Sequence, residues 1–420
     1  MGRSMRVLWG LQAMIHLAAS EPGIAVVPDQ LDADPWLLNV LNGTVDLRTA
    51  ELRPHAAADL ITKLAPVAFE PGREAPTWTA FLERILPDPE LRAFLQRAVG
   101  YSLTGDTGEQ VLFFLHGRGC NGKSTLLETL RALLGDYGLQ ADVGTFLERR
   151  REGASNDLAR LRSGRFVAAV EAGEGQRLAE GLVKQLTGGD TISARMLYSE
   201  YFEFRPQFKL WLAANHKPVI RGTDHAIWRR IRLIPFTVTI AEADRDPELA
   251  AKLRAELSGI LWWALKGGLL WRRDGLGAPR AVQLATQSYR GEMDVLGTFL
   301  EECCELGASL KAPATPLYEA YRRWCERSGE RPANQRHFGQ ALAEREFVRV
   351  KSTGGCYAWY GLRMVDQVDH ADRPAGISSY TSSRSEFPKE GPPGPLGPPD
   401  EPAVVAGRRD TWEPGEELGL

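Results

Sequence analysis

The residues best placed to do chemistry are Lys123 and Ser124, because of the run that leads into them. Gly117, Arg118, Gly119, Cys120, Asn121, Gly122, Lys123, Ser124 and Thr125 contain the pattern G-x-x-x-x-G-K-[ST]. Glycines let such a loop turn tightly and aim its N–H groups at phosphate oxygens, and a helix starting at the loop adds favourable potential. The lysine would hold the β- and γ-phosphates of ATP, and the Ser124 hydroxyl would ligate Mg²⁺. The apolar run from Val111 to Leu115 predicts a buried strand ahead of the loop, and Ser124 onward predicts a helix that stops at Gly135.

Two later stretches repeat the strand signal and end in polar residues. Arg165 to Val170 runs into Glu171, with Glu174 close behind, and Phe208 to Ala214 runs into Asn215. An open α/β sheet would bring these strand ends to one nucleotide, because ligands sit at the carboxyl ends of its strands. An acid there can orient Mg²⁺ or polarise water, and an amide can hold that water near the γ-phosphate. Arg229 and Arg230 follow, before another strand-like stretch that ends near Phe236.

These elements sit in a chain of 420 residues, 43% hydrophobic and 25% charged, enough for two or three domains. No apolar run approaches the length of a membrane span. Five cysteines, odd in number and without C-x-x-C spacing, suit a reducing cytoplasm. Cys303, Cys304, Cys325 and His337 could be weighed as a zinc set, but buried thiols are the preferred reading. Net charge is −3, yet residues 366–420 carry 11 acids against 5 bases, which leaves the body at +3.

Five segments are expected: a mixed N-terminal part at 1–75, the nucleotide domain at 76–245, a helical connection at 246–290, a winged-helix-like domain at 291–365 and a disordered Pro-rich tail at 366–420. In the first, Trp36 to Leu47 alternates around Asn42-Gly43, a hairpin signal. Amphipathic helices are predicted at 77–86 and 89–101, a helix over Leu178 to Leu186 and a hairpin over Thr191 to Phe204. Pro247 to Trp271 and Tyr289 to Leu306 each predict a helix. Leu317, Tyr321 and Trp324 share a helical face, Asn334 caps a helix, and two strands flank Ser352 to Gly355, as in a winged helix.

The order Gly-x-Gly-x-Asn-Gly-Lys-Ser-Thr, strand plus Glu171, Lys184-x-Leu-Thr-Gly-Gly-Asp190, Trp211-Leu-Ala-x-Asn215 and Trp228-Arg-Arg resembles superfamily 3 helicases. The likeness is to the phage and plasmid primase-helicase branch, which includes poxvirus-type and satellite-phage replication proteins. Asn42 to Leu47, Gly100 to Gly105 and Leu317 to Cys325 also resemble that branch, over roughly residues 30–365 in all. The resemblance implies an AAA+ type ATPase, a DNA helicase that assembles as a ring, usually hexameric, around single-stranded DNA. Lys123 and Ser124 carry over as the phosphate and Mg²⁺ residues, Glu171 as the acid and Asn215 as the polar sensor. Arg229 or Arg230 would be the finger that reaches a neighbour's γ-phosphate.

Two departures stand out. Glu171 and Glu174 are separated by Ala172-Gly173, where many members have adjacent acids, and the expected hairpin tip carries Glu200 instead of a base. Lys184, Arg195 or Lys209 would then supply contacts to DNA phosphates. With no paired-acid metal site ahead of Gly117, the chain is expected to be the C-terminal helicase part without a primase module, either a shortened prophage copy or the partner of a separately encoded primase. The competing readings are a small-molecule phosphotransferase and a non-catalytic DNA-binding scaffold.

Overall fold

The computed structural model describes residues 2–21, 24–148, 156–170, 173, 175–196, 199–221, 225–351 and 356–365. The expected tail at 366–420 and the turn at 352–355 lie outside them. After a first helix, α1 (Gly2–Ala18), comes a small antiparallel sheet of β1 (Leu37–Val40), β2 (Gly43–Asp46) and β3 (Glu51–Arg53). The β1–β2 hairpin is the one expected from the sequence. Its Asn42 side chain exchanges hydrogen bonds with both backbone groups of Phe69, at 2.8 and 2.9 Å, and so ties the turn to the next segment.

Helices α2 (Pro76–Ile85) and α3 (Pro89–Leu103) follow at the predicted places. Pro89 opens α3, and Asp88 caps it by accepting from Glu90 N. The nucleotide domain then unrolls as β4 (Leu112–His116), α4 (Lys123–Leu134), β5 (Gly138–Gln140), α5 (Asn156–Ala159), β6 (Phe166–Val170), α6 (Glu180–Gly188), the hairpin β7 (Ile192–Arg195) and β8 (Tyr201–Phe204), β9 (Lys209–Ala214), α7 (His225–Trp228) and β10 (Ile231–Pro235).

Five of these strands form one parallel sheet in the order β10-β4-β9-β6-β5. A parallel sheet is covered on both faces, so its strands are apolar throughout. Phe113, Leu115, Trp211 and Ala213 face one core, with α2, α3, α4, α8 and α9 packed on it (the last two at Leu249–Ala255 and Leu257–Asp274). Leu112, Phe114, Leu210 and Leu212 face the other, against α6, α7 and α10 (Arg280–Glu292). Trp211 anchors the first face: its ring stacks on Phe113 at 4.4 Å, and its Nε1 donates to Ser102 Oγ at 3.1 Å.

Helices α3 and α9 cross at glycines. A Cβ on Gly100 would lie 2.0 Å from Gly268 N and 2.5 Å from Ala264 O, so only backbone fits there. Beyond α10 the chain builds α11 (Val295–Cys303), β11 (Cys304–Pro313), α12 (Ala314–Ser328), α13 (Gln335–Ala343), β12 (Val348–Lys351) and β13 (Tyr357–Met364). Its sheet order, β11-β13-β12, with helices packed on Phe299, Leu317, Trp324 and Phe338, is winged-helix-like.

Two predicted helices are divided. Tyr289 to Leu306 breaks at Asp294, whose carboxylate caps α11 through Gly297 N, and it turns to strand at Cys304 where β13 supplies a partner. Pro247 to Trp271 is split at Glu256, whose carboxylate accepts from Thr77 N and Trp78 N at the start of α2.

Candidate nucleotide site

The parallel registers bring three strand ends level. His116 of β4 lies beside Ala214 of β9 and Pro235 of β10, so Gly117, Asn215 and Phe236 begin at one edge. Two loop glycines are required by what surrounds them. A Cβ on Gly117 would lie 2.1 Å from Phe236 O, and Gly122 has φ +84° with Ile85 Cγ2 in the way. At Gly119 a Cβ would meet nothing of this chain within 4 Å, so that side of the loop is open. Helix α4 starts at Lys123 with no side-chain cap, which leaves its first N–H groups to an anion.

The Lys123 ammonium is buried inside the loop. It donates to Gly117 O at 2.6 Å, Asn121 Oδ1 at 3.0 Å and Asn215 Oδ1 at 3.1 Å. Burial lowers its pKa from the ordinary lysine value. Asn121 is also held from the other side, donating to Phe236 O at 3.4 Å. His116 is half-buried, and its pKa is lowered by burial and then by the positive charges of Lys217 and Lys123. Ser124 is exposed at the helix start. An uncapped helix, an open loop face and a lysine with a hydroxyl next to it are the donor set that Mg²⁺-ATP requires.

The structure thus gathers Asn121 and Lys123 with Asn215, which lies 92 positions beyond the lysine in sequence. Glu171 and Glu174 lie outside the described residues, although β6 reaches Val170 beside Ala213. The arginine pair lies elsewhere. Arg229 and Arg230 precede β10 at the opposite edge of the sheet, where Arg230 O accepts from Leu112 N at 2.8 Å. A five-residue strand separates them from the loop of their own chain, a distance of roughly 16 Å. The two differ in kind. Arg230 is buried and donates to Thr187 Oγ1 at 3.1 Å and Ala226 O at 2.6 Å. Arg229 is exposed and donates to Gln110 Oε1 at 3.0 Å.

The residues expected on DNA also separate. Lys209 is closed to it: 2% exposed, its ammonium donates to the carbonyls of Thr104, Asp106 and Gln207 and lies 4.6 Å from the Tyr101 ring. A lysine that opens a buried strand finds its acceptors in the interior. Arg195 is exposed on β7, its guanidinium 5.1 Å from the ring of Tyr201, itself 58% exposed. Lys184 is half-buried on α6. Sequence reasoning missed Tyr201, Gln110 and Arg245, whose neighbours are set by the fold alone.

Sheet order and the glycine loop that leads from β4 into α4 define a P-loop nucleotide-binding fold of the AAA+ type. Comparison with known proteins narrows this. Residues 9–87 match the family model "D5 N terminal like", 115–230 a "Family of unknown function (DUF5906)" and 291–352 "Poxvirus D5 protein-like". The chain is 30% identical over 319 residues to "Putative helicase L207/L206" of Acanthamoeba polyphaga mimivirus, covering 70% of this chain and 33% of that protein. It is 27% identical over 333 residues to "Putative helicase 121R" of Invertebrate iridescent virus 3, covering 70% and 35%. The chain therefore spans about a third of the length of these relatives. The apo structure of the NrS-1 C-terminal region aligns with TM-score 0.49 at 10% identity, over 83% of this chain and 89% of that one.

The similarity is to poxvirus D5-like primase-helicase proteins, and it corrects one expectation. Matched segments run from residue 9 to residue 352, so the chain is not confined to a C-terminal helicase part lacking what lies before it. Among the described residues no helix is long and apolar enough to cross a membrane.

Proposed function

We propose that this chain hydrolyses ATP at subunit interfaces of a ring, a hexamer by resemblance, and uses the energy to move along single-stranded DNA as a replicative helicase. The observation that carries the reading is the buried Lys123 ammonium, shared between its own loop and Asn215. On nucleotide binding the ammonium would exchange Gly117 O and Asn215 Oδ1 for phosphate oxygens, which frees the Asn215 amide to orient the attacking water. Mg²⁺, held through Ser124, would neutralise charge on the outer phosphates. Glu171 or Glu174 would take the proton from water, and Arg229 of the next subunit would stabilise the charge that develops. Arg195 and Tyr201 on the β7–β8 hairpin pair a cation with an exposed ring, a combination suited to stacking and phosphate contact along one strand.

The test is ATP hydrolysis with and without single-stranded DNA. Lys123→Ala should abolish turnover, and Asn215→Ala should lower the rate much more than nucleotide affinity. Undiminished DNA-stimulated hydrolysis by the Lys123→Ala variant would refute the assignment.

A further inference from the structure

The segment that leaves β10 is stitched onto the phosphate loop. Phe236 N donates to His116 O at 2.7 Å, and Ile240 N donates to Cys120 O at 2.8 Å. Four residues on, Arg84 of α2 holds the backbone of Asp244 at 3.0 Å and its carboxylate at 3.4 Å. Arg245 is therefore fixed beside the loop, and its Nη2 reaches Cys120 Sγ at 3.1 Å.

That guanidinium is poorly used. Sulfur is a weak acceptor, and a guanidinium offers five donors. Arg245 makes no ion pair among the described residues; the flanking acids are engaged, Asp244 with Arg84 and Asp246 with Lys252 at 2.7 Å. Cys120 holds φ +60°, a backbone shape costly for a residue with a Cβ, and its thiol is presented to Arg245 at the loop's exposed side.

We infer that Arg245 is a second cation for the nucleotide's phosphates, supplied by the same chain that supplies Lys123. The inference rests on the nucleotide site proposed above and adds a residue to it. With phosphates in the loop, Arg245 exchanges a thiol for anionic oxygens, and charge-assisted bonds of this kind are the strong ones. Its role differs from that of Arg229, which serves a neighbour. Arg245 acts on binding within one subunit and needs no ring.

Binding of a fluorescent, non-hydrolysable ATP analogue with Mg²⁺, titrated on the full chain, tests this. Arg245→Ala should weaken binding by roughly tenfold or more, and Arg245→Lys should recover part of the loss. Arg254→Ala removes the same charge from an exposed position on α8 and should bind as wild type. If Arg245→Ala binds as wild type while Lys123→Ala loses affinity, the inference is overturned and the nucleotide site stands. Equal losses in Arg245→Ala and Arg254→Ala would reduce the effect to net charge and also overturn it. If the wild-type chain binds no analogue, the nucleotide site itself fails. Unchanged melting of Arg245→Ala is expected, since the residue is exposed, and Arg245→Lys keeps the test informative if it is not.

Discussion

Replacing each member of the Arg229-Arg230 pair should produce opposite phenotypes. Arg230→Ala strips a buried guanidinium from Thr187 Oγ1 and Ala226 O and leaves both acceptors without that donor. A hydrogen bond to a charged group contributes about 1.5–3 kcal/mol, so two such bonds, less the gain from water entering the gap, set a loss of roughly 2–4 kcal/mol. At about 2–4 °C per kcal/mol for domains of this size, the melting temperature should fall by on the order of 5–12 °C. Arg229→Ala removes one exposed contact to Gln110, and its stability should stay within about 0.5 kcal/mol of wild type. Its hydrolysis should fall by on the order of 10³–10⁵, the usual worth of an arginine finger. Co-assembly with Lys123→Ala decides the matter, since mixed rings contain some interfaces with an intact lysine facing an intact Arg229. Regained hydrolysis is expected. No regain in rings whose assembly is confirmed by sedimentation, or full activity from an isolated Arg229→Ala monomer, would refute the shared site.

Other outcomes follow from the same geometry. Gly100→Ala forces a Cβ into the backbone of α9 and should cost about 3 kcal/mol or more in urea unfolding, because neither helix can yield at that point. His116 gives a pH effect of definite sign. Its folded pKa lies below 6.5, so under acid conditions the unfolded chain takes up a proton that the folded chain refuses. Stability is therefore full above 6.5 and declines as pH falls below it; His116→Asn should flatten that decline in melting curves between pH 7 and 5. For DNA, Arg195→Ala should lower the slope of log affinity against log salt by about 0.7 for single strands, as expected for one lost phosphate contact.

The phosphate loop was legible because its demands are local: two glycines forced by backbone, a lysine and a hydroxyl at fixed spacing. The strands were legible because burial on both sides makes them uniformly apolar. What sequence could not separate was cations of different fate. Arg230 and Arg229 are adjacent, and only the packing of α6 against α7 buries one and leaves the other out. Lys209 looks like a surface base at the start of a strand, yet its acceptors come from residues about a hundred positions earlier. The Tyr289 to Leu306 helix failed for a related reason. Its apolar spacing is continuous, but β13, more than fifty residues later, draws Cys304 to Leu306 into a sheet.

Lys209 still bears on the proposed activity, through position. Its ammonium pins the carbonyls of Thr104 and Asp106, and the short loop that follows ends at Gln110. Gln110 donates to Gly188 O at 3.4 Å and accepts from Arg229 at 3.0 Å, so the buried lysine, the loop and the amide form one line to Arg229, the proposed finger. Loss of Lys209 would leave buried carbonyls unpaired and release the loop together. Lys209→Met should therefore cost about 2–4 kcal/mol in urea unfolding while leaving the salt dependence of DNA binding unchanged. Gln110→Ala isolates the second effect. It removes the acceptor for Arg229 at a partly exposed site, so it should melt near wild type, bind the ATP analogue normally, and hydrolyse ATP several-fold more slowly in assembled rings. Mixed with Lys123→Ala, it should be rescued in the same way as Arg229→Ala. Normal turnover in Gln110→Ala rings would show that Arg229 does not need Gln110 to do its proposed work, and that the line from Lys209 ends at the fold.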